Sequence, residues 1–181
     1  MKLDRAMVIA ERVRVALDPY CERIEVAGSV RRRKAEVGDI ELVAIPRTVD
    51  VLDLFGTSGV RRVAGWEEAV RGLGRVVKGD PGLGRYAQVD LGEITLDLFL
   101  AVPENWGLIF AIRTGSAEFS HRVLAAGWVR AGYRSIDGMI CRWGGVGPGE
   151  RWVPVAVREE VDLFRLAGVE WTEPEKREVL T

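Results

Sequence analysis

Three acidic residues lie on two short apolar segments that have the pattern of β-strands. Asp39 and Glu41 flank Ile40, and residues i and i+2 of a strand project from the same face of a sheet. Asp97 lies inside the apolar segment 94–100, where a buried charge is costly unless it is paired or binds a metal. If the two strands are neighbours, the three carboxylates converge and require a cation. Oxygen ligands suit hard ions such as Mg²⁺ or Mn²⁺, and two such ions can catalyse phosphoryl transfer.

A glycine–serine pair followed by basic residues precedes the first acidic strand. Gly28 allows a close approach of the backbone to a ligand, and Ser29 offers a hydroxyl and an N–H group. A helix that begins there would direct unpaired N–H groups at an anion, and arginine binds phosphate in bidentate fashion. The pattern predicts a triphosphate-binding turn. A solvated surface run is the commoner meaning of four basic residues in a row, here residues 31–34.

The elements that must position these residues follow from apolar spacing and from Gly and Pro. Helices are predicted over residues 3–17, 49–55, 66–73, 106–112, 117–126 and 158–167. Strands are predicted over residues 23–27, 39–45, 86–91, 94–102, 138–143 and 151–155, the last two as a hairpin across the loop 144–149. The pattern changes after Pro103, so we expect one lobe over residues 1–103 and a second over 104–181.

Composition and charge exclude several classes of protein. The 181 residues are 48% hydrophobic and 29% charged, with a net charge of −1, so neither a disordered chain nor a strongly basic nucleic-acid coat is expected. No apolar run reaches the roughly 18–20 residues that span a bilayer, and the N-terminus lacks a secretory pattern. Cys21 and Cys141 match no zinc spacing. We expect a cytoplasmic protein without a membrane partner.

Several motifs, in this order, resemble those of family X DNA polymerases, within the DNA polymerase beta-like nucleotidyltransferase superfamily. The motifs are Ala27-Gly28-Ser29-Val30-Arg31-Arg32 with Gly38-Asp39-Ile40-Glu41, then Leu96-Asp97-Leu98-Phe99, Thr114-Gly115-Ser116, Asp137-Gly138-Met139, residues 159–168 and Pro174-Glu175-Lys176-Arg177-Glu178. The resemblance implies an α+β fold. Residues 1–103 would form a catalytic palm with a mixed or antiparallel sheet, and residues 104–181 a small α+β lobe that binds nucleotide.

The resemblance also implies an activity and its partners. A minimal family X-like DNA polymerase, similar to the small viral members, would add a nucleotide from a dNTP to the 3′-hydroxyl of primer/template or gapped DNA as a monomer. Asp39, Glu41 and Asp97 would be catalytic and would hold two Mg²⁺ or Mn²⁺ ions. The implied nucleotide-binding residues are Gly28, Ser29, Arg32, Gly38, Thr114 and Gly115. The expected DNA-binding residues are Arg62, Arg75, Lys78, Arg113 and Arg122.

Three departures from the family pattern leave alternatives open. Glu41 stands where family X usually has Asp, and Ile112-Arg113 stand where an aromatic residue commonly precedes the Thr-Gly pair. The accessory lyase and helix-hairpin-helix domains of the family are not seen in this sequence. One alternative is a nucleotidyltransferase that works without a template, or on RNA or a small molecule. The other is a non-catalytic nucleic-acid-binding module on the same fold.

Overall fold

The computed structural model describes residues 1–52, 58–144 and 151–178. By its internal contacts the chain divides into two compact units. Unit 1 comprises Met1–Val26 and Ala35–Ala101, and unit 2 comprises Ala27–Lys34 and Val102–Thr181. Ala27–Lys34 belongs to unit 2, where Arg31 and Arg32 form hydrogen bonds with residues of that unit. The predicted lobes of residues 1–103 and 104–181 stay a prediction.

The described residues form helices and strands throughout both units. The helices are α1 (Leu3–Leu17), α2 (Gly28–Arg31), α3 (Trp66–Leu73), α4 (Trp106–Thr114), α5 (Ala117–Phe119), α6 (Ala126–Arg130) and α7 (Glu160–Ala167), with 3₁₀ turns at Asp18–Tyr20 and Pro174–Lys176 and a π-helical segment at Ser120–Ala125. The strands are β1 (Cys21–Val26), β2 (Asp39–Pro46), β3 (Thr48–Leu52), β4 (Ser58–Arg62), β5 (Arg75–Gly79), β6 (Tyr86–Asp90), β7 (Thr95–Leu100), β8 (Tyr133–Ile136), β9 (Met139–Gly144) and β10 (Arg151–Val155).

A five-stranded mixed sheet forms the centre of unit 1, in the order β1-β2-β7-β6-β5. Only the β2–β7 pair is parallel, and the other neighbours are antiparallel. The alternating pattern of β2 and β7 explains the arrangement, because Ile40, Leu42, Leu96 and Leu98 are fully buried on one face. The opposite face carries the acidic residues. The predicted α+β class with a mixed sheet is confirmed.

Helix α1 covers the buried part of unit 1. Its buried residues follow a helical period, and α1 packs against β1, β2 and α3. The 3₁₀ turn that contains Pro19 ends the helix. Cys21 begins the next strand. Both Cys21 and Cys141 are buried free thiols, and burial raises the pKa of Cys21 to about 12.

Residues 48–52 correct one predicted helix. The segment 49–55 was expected to be helical, but residues 48–52 form β3, which pairs antiparallel with β4. Thr48, Val49 and Val51 are β-branched and fit a strand better than a helix. The rest of the predicted helix, residues 53–55, lies outside the described residues. Strands β4, β5 and β8 were not predicted, since short, half-exposed strands carry little periodic signal.

Unit 2 packs helices α4 to α7 around an apolar core, with a three-stranded sheet in the order β10-β9-β8. Leu108, Phe119, Leu124, Ile140 and Phe164 are among the buried residues of this core. The predicted hairpin of residues 138–143 and 151–155 is confirmed by the antiparallel pairing of β9 with β10. Its predicted loop lies outside the described residues from residue 145 onward. Among the described residues, no helix combines the length and apolarity needed to cross a bilayer.

Gly107 and Gly72 give a matched test of this packing. A Cβ at Gly107, in α4, would lie 2.2 Å from the backbone carbon and oxygen of Glu159, whereas a Cβ at Gly72, in α3, would meet nothing within 4 Å. We expect Gly107→Ala to lower the free energy of unfolding by about 1–3 kcal/mol or more, because backbone must move. Gly72→Ala should raise it by up to about 1 kcal/mol through helix propensity. Urea unfolding of both variants measures the difference, and equal effects would contradict the tight contact.

Candidate functional site

The acidic residues share one face of the sheet in unit 1. The parallel register pairs Glu41 with Asp97 and Asp39 with Thr95, so Glu41 and Asp97 lie side by side on adjacent strands. Asp39 precedes Glu41 by two residues on the same face. All three acids are partly buried. We call Asp39, Glu41 and Asp97 the acidic face.

Two polar residues of β6 hold the carboxylate of Asp97. The hydroxyl of Tyr86 donates to Asp97 Oδ1 at 2.7 Å, and the Gln88 side-chain amide donates to the same oxygen at 2.8 Å. Gln88 is the antiparallel partner of Asp97. Neither residue was singled out from the sequence. The alternation Tyr86, Gln88 against the buried Ala87 and Val89 is a signal that could have found them.

The donor chemistry of the acidic face suits a hard divalent cation, since carboxylate oxygens are the ligands that such ions prefer. The strand register places Asp39, Glu41 and Asp97 on one face of the sheet. Their side chains are not gathered into a preformed site: across residues 1–52, 58–144 and 151–178, no group of three or more His, Cys, Asp or Glu side chains is arranged to hold a metal. The residues therefore fit a metal in type and strand position, and convergence would require rotation about side-chain bonds.

Ser29 occupies the turn that begins unit 2. It lies on the short helix α2, after Gly28, whose φ of 61° is in the left-handed region that glycine favours. The Ser29 hydroxyl oxygen is buried and has no hydrogen-bond partner among the described residues. An unpaired buried hydroxyl costs about 1–3 kcal/mol. This is the kind of polar atom that a ligand can satisfy.

Arg32 is held from two sides within unit 2. Its Nε donates to Glu178 Oε1 at 2.7 Å, and its Nη1 donates to the Thr114 carbonyl at 2.7 Å. Lys34 Nζ lies 3.4 Å from the same Glu178 oxygen. Burial alone would raise the pKa of Glu178, but the hydrogen bond from Arg32 and the charges of Arg32 and Lys34 lower it below its ordinary value. Nη2 of Arg32 makes no hydrogen bond to any residue that the structure describes, so it is the donor left for an anion.

Arg31 differs from Arg32, because it belongs to a buried ion cluster. It donates to both carboxylate oxygens of Glu160, at 2.8 and 2.7 Å, and to the Thr114 hydroxyl at 2.6 Å. Arg177, fully buried, also donates to Glu160. The Arg31 guanidinium lies 3.9 Å from the centre of the Phe110 ring. We call Arg31, Glu160 and Arg177 the buried ion cluster.

Neither Glu160 nor Arg177 was assigned to the site from the sequence. A signal for Glu160 exists, since it lies at helical spacing with the buried residues Leu163, Phe164 and Ala167 of α7. An acid on the apolar face of a helix implies a buried partner. Arg177 follows α7 on an irregular segment, where no periodicity indicates burial. Its guanidinium carbon lies 4.9 Å from the centre of the Phe164 ring and 4.7 Å from that of the Trp171 ring.

Thr114 and Gly115 end α4 as packed residues. The Thr114 side chain is fully buried, and both of its oxygens accept from the arginines described above. A Cβ at Gly115 would lie 2.7 Å from Ser120 Oγ and 3.0 Å from the Phe119 ring, so a larger residue would require these side chains to shift. Gly38, in unit 1, is exposed, and a Cβ there would meet nothing within 4 Å.

The basic residues expected to bind DNA have differing surroundings. Arg62 is partly buried and donates to the carbonyls of Pro81 and Gly84, and burial lowers its pKa, so it supports the turn of its own unit. Arg75 pairs with Asp90 at 3.2 Å and Arg122 with Glu118 at 3.0 Å. Lys78 lies 5.9 Å from the Tyr86 ring centre, and Arg113 is exposed on α4.

Comparison with known proteins bears on the fold. No known family matches the chain, and no curated protein sequence matches it. A solved structure does: the crystal structure of polymerase beta from Leishmania infantum, described as a ternary P/T complex, has a TM-score of 0.63 and 20% sequence identity. The match covers 98% of this chain and 76% of that one. The chain has a polymerase-beta-like fold. This confirms the predicted fold, whereas the family itself has no support from sequence comparison.

The buried ion cluster generates a prediction about stability and pH. Burial alone would raise the pKa of Glu160, but hydrogen bonds from Arg31 and Arg177 lower it below its ordinary 4.5. The carboxylate therefore stabilises the fold fully above about pH 4.5, and this contribution disappears as pH falls through the lower folded value. We expect Glu160→Gln to lower the free energy of unfolding by about 3–5 kcal/mol at pH 7, because two buried guanidinium groups lose their counter-charge.

Urea unfolding at pH 7, 5 and 3 tests this. The loss should be equal at pH 7 and 5 and smaller at pH 3. Glu118→Gln is the matched control, since Glu118 and Arg122 form a solvent-exposed ion pair whose loss should cost under about 1 kcal/mol. A similar small effect for both variants would contradict the structural role of Glu160.

Proposed function

We propose that this protein is a nucleotidyltransferase that adds a nucleotide from a dNTP to the 3′-hydroxyl of primer/template or gapped DNA, as a minimal family X-like DNA polymerase. The observation that carries the proposal is the parallel register of β2 and β7, which sets Glu41 beside Asp97 with Asp39 on the same face. The polymerase-beta-like fold of the chain supports it. The acids, the unpaired hydroxyl of Ser29 and the remaining donor of Arg32 are the groups that this chemistry needs.

In this proposal the acidic face would hold two divalent ions, Mg²⁺ or Mn²⁺, with Asp39, Glu41 and Asp97 as the ligands. Such ions, when bound, activate the attacking oxygen and stabilise the leaving one. Tyr86 and Gln88 occupy Oδ1 of Asp97, which leaves Oδ2 to face a cation or to accept the proton of the 3′-hydroxyl.

Unit 2 binds the triphosphate in this proposal. The Ser29 hydroxyl and Nη2 of Arg32 donate to phosphate oxygens. Glu178 and the Thr114 carbonyl orient the Arg32 guanidinium before the anion arrives, which reduces the entropy that binding must overcome. Gly28 and Gly38 contribute backbone, and Gly115 borders the nucleotide through its backbone, since the Thr114 oxygens are already bonded.

Transfer without template instruction, or to another acceptor, is the second candidate. At the two positions before Thr114, Ile112 packs against the core of unit 2 and Arg113 is exposed. Neither side chain offers an aromatic ring to a sugar. This arrangement favours weak sugar selection, and incorporation indifferent to the template base would support the second candidate over the first.

Asp97→Asn tests the catalytic assignment. Extension of a labelled primer across a one-nucleotide gap is measured with each dNTP separately, in Mg²⁺ and in Mn²⁺. The wild type should add the templated nucleotide, and the variant should lose about 100-fold or more of the rate, since a positioned base and metal ligand is gone. Folding should remain intact, because removing one of three clustered charges relieves repulsion.

Asp90→Asn is the matched control for Asp97→Asn. Asp90 lies on the same side of β6 as Gln88, but it is not one of the three acidic-face residues, and it pairs with Arg75. Its extension rate should match the wild type. Near-normal extension by a well-folded Asp97→Asn variant would overturn the assignment. Loss of extension in both variants would show that the assay reports surface charge instead.

Arg32 and Arg33 form a second matched pair. Arg32 is mostly buried and oriented, whereas the Arg33 side chain is 74% exposed and pairs only with Glu175 among the described residues. We expect Arg32→Gln to raise KM for dNTP about 10-fold or more, the loss expected for one charge-assisted hydrogen bond, with a smaller effect on kcat. Arg33→Gln should leave KM within about twofold of the wild type. Steady-state kinetics on the gapped substrate decide, and equal effects would remove Arg32 from the triphosphate site.

A further inference from the structure

The sheet of unit 2 exposes an aromatic pair. Trp143 on β9 and Trp152 on β10 are direct cross-strand partners, and their ring centres lie 5.4 Å apart at an interplanar angle of 69°. Trp143 is 51% exposed, and Trp152 is partly exposed. Trp66, Trp106 and Trp128, by contrast, are 6% exposed or less. The pair is therefore not part of the core.

A cation covers one of these rings. Arg134 on β8 is exposed, and its guanidinium carbon lies 4.7 Å from the centre of the Trp152 ring. In the sheet, Arg134 pairs with Cys141 and Cys141 with Pro154. Strand alternation therefore puts Arg134 on the same face as both tryptophans. We call Trp143, Trp152 and Arg134 the tryptophan face.

The charge of this sheet has one sign. Arg134, Arg142 and Arg151 are exposed on the three strands, and β8, β9 and β10 contain no Asp or Glu. None of the three arginines forms an ion pair within the part of the chain that the structure describes. Exposed arginines on helices differ, as in the pairs Arg71–Glu67 and Arg165–Asp162. Strand alternation puts Arg142 and Arg151 on the opposite face, because each is next in sequence to one of the tryptophans. Arg134 is therefore the arginine that adds positive charge to the tryptophan face.

We propose that the tryptophan face binds single-stranded nucleic acid. Indole rings stack on bases irrespective of sequence, and arginine supplies phosphate contacts and cation–π interactions. The sheet is roughly 10 Å across, three strands at about 4.8 Å spacing, and an exposed aromatic sheet of this kind stacks two or three bases. Duplex DNA does not fit as well, since its bases already stack on each other. This binding does not depend on the acidic face or on the proposed transfer reaction.

The test is the binding of fluorescein-labelled dT12 and rU12 to the full chain, by anisotropy, in EDTA and without dNTP. Under these conditions no transfer takes place, so the result is independent of catalysis, and Asp97→Asn should bind like the wild type. Trp143→Ala with Trp152→Ala should raise Kd about 10-fold or more. Trp143→Phe with Trp152→Phe should retain most of the affinity, because stacking requires an aromatic ring and not specifically an indole.

Charge is tested separately. Arg134→Gln should reduce the salt dependence, the slope of log K against log salt, by roughly 0.7 for one lost phosphate contact on a single strand. Arg130→Gln is the control, because Arg130 is exposed at the end of α6, and it should leave the slope unchanged. Thermal unfolding of each variant establishes that the sheet is intact.

Tighter binding of dT12 or of rU12 identifies DNA or RNA as the preferred strand, and either supports the proposal. A 12-base-pair duplex whose binding depends on Trp143 and Trp152 as strongly as that of dT12 would overturn it, as would single-strand binding unaffected by the alanine substitutions. Sedimentation provides the remaining outcome. If the wild type is a dimer that the alanine substitutions dissociate, and no oligonucleotide binds, the tryptophan face joins two copies of the chain and the proposal is wrong.

Discussion

The parallel pairing of β2 with β7 is the constraint on which unit 1 depends. Side chains of a strand alternate between faces, so a shift of one residue in this register would turn every side chain of the moved strand over. Leu96 and Leu98 would then face solvent, and Asp97 would enter the apolar layer. The burial of those leucines thus determines where Asp97 lies, and the apolar core positions the polar face. Hydrogen bonds from Tyr86 and Gln88 then fix one oxygen of that carboxylate.

In unit 2, the consecutive residues Arg31 and Arg32 have different partners. Arg31 forms an ion pair with Glu160, and the fully buried Arg177 binds the same carboxylate. A lone guanidinium in that position would be expensive, and the shared carboxylate offsets the cost. Arg32 instead donates hydrogen bonds through Nε to Glu178 and through Nη1 to the Thr114 carbonyl, and its Nη2 has no hydrogen-bond partner among the described residues. Two neighbouring residues of the same type therefore have separate physical roles, one structural and one suited to an anion.

The two proposals rest on independent features. Nucleotide transfer depends on carboxylates and on a polar turn, where charge must be compensated by a ligand. Binding of a single strand depends on the exposed rings of Trp143 and Trp152 and on Arg134 beside them, far along the chain from the acidic residues. The net charge of the protein is −1, so a local positive charge such as Arg134 matters for attracting an anion.

The sequence by itself predicted the α+β class, helix α1, the strands that carry the acids and the side of β2 on which Asp39 and Glu41 lie. These features are local, since they follow from apolar periodicity and from the positions of glycine and proline. It also predicted Ser29 and Arg32 as anion ligands, through a family resemblance that remains a prediction. It missed β4, β5 and β8, and it made a helix of residues that pair with β4, because strands of this kind are stabilised by their neighbours more than by their own residues.

Only the tertiary structure decided the partners. These contacts join residues that are distant in the chain or on different strands. They include the parallel pairing of β2 with β7, the hydrogen bonds from Tyr86 and Gln88 to Asp97, the two arginines that share Glu160, and the pair Trp143–Trp152. Such contacts depend on which faces become buried together, and no local pattern contains that information. For this reason the acids were foreseen as residues, whereas their strand register, the hydrogen-bonding partners of Asp97 and the different contacts of Arg31 and Arg32 had to be observed.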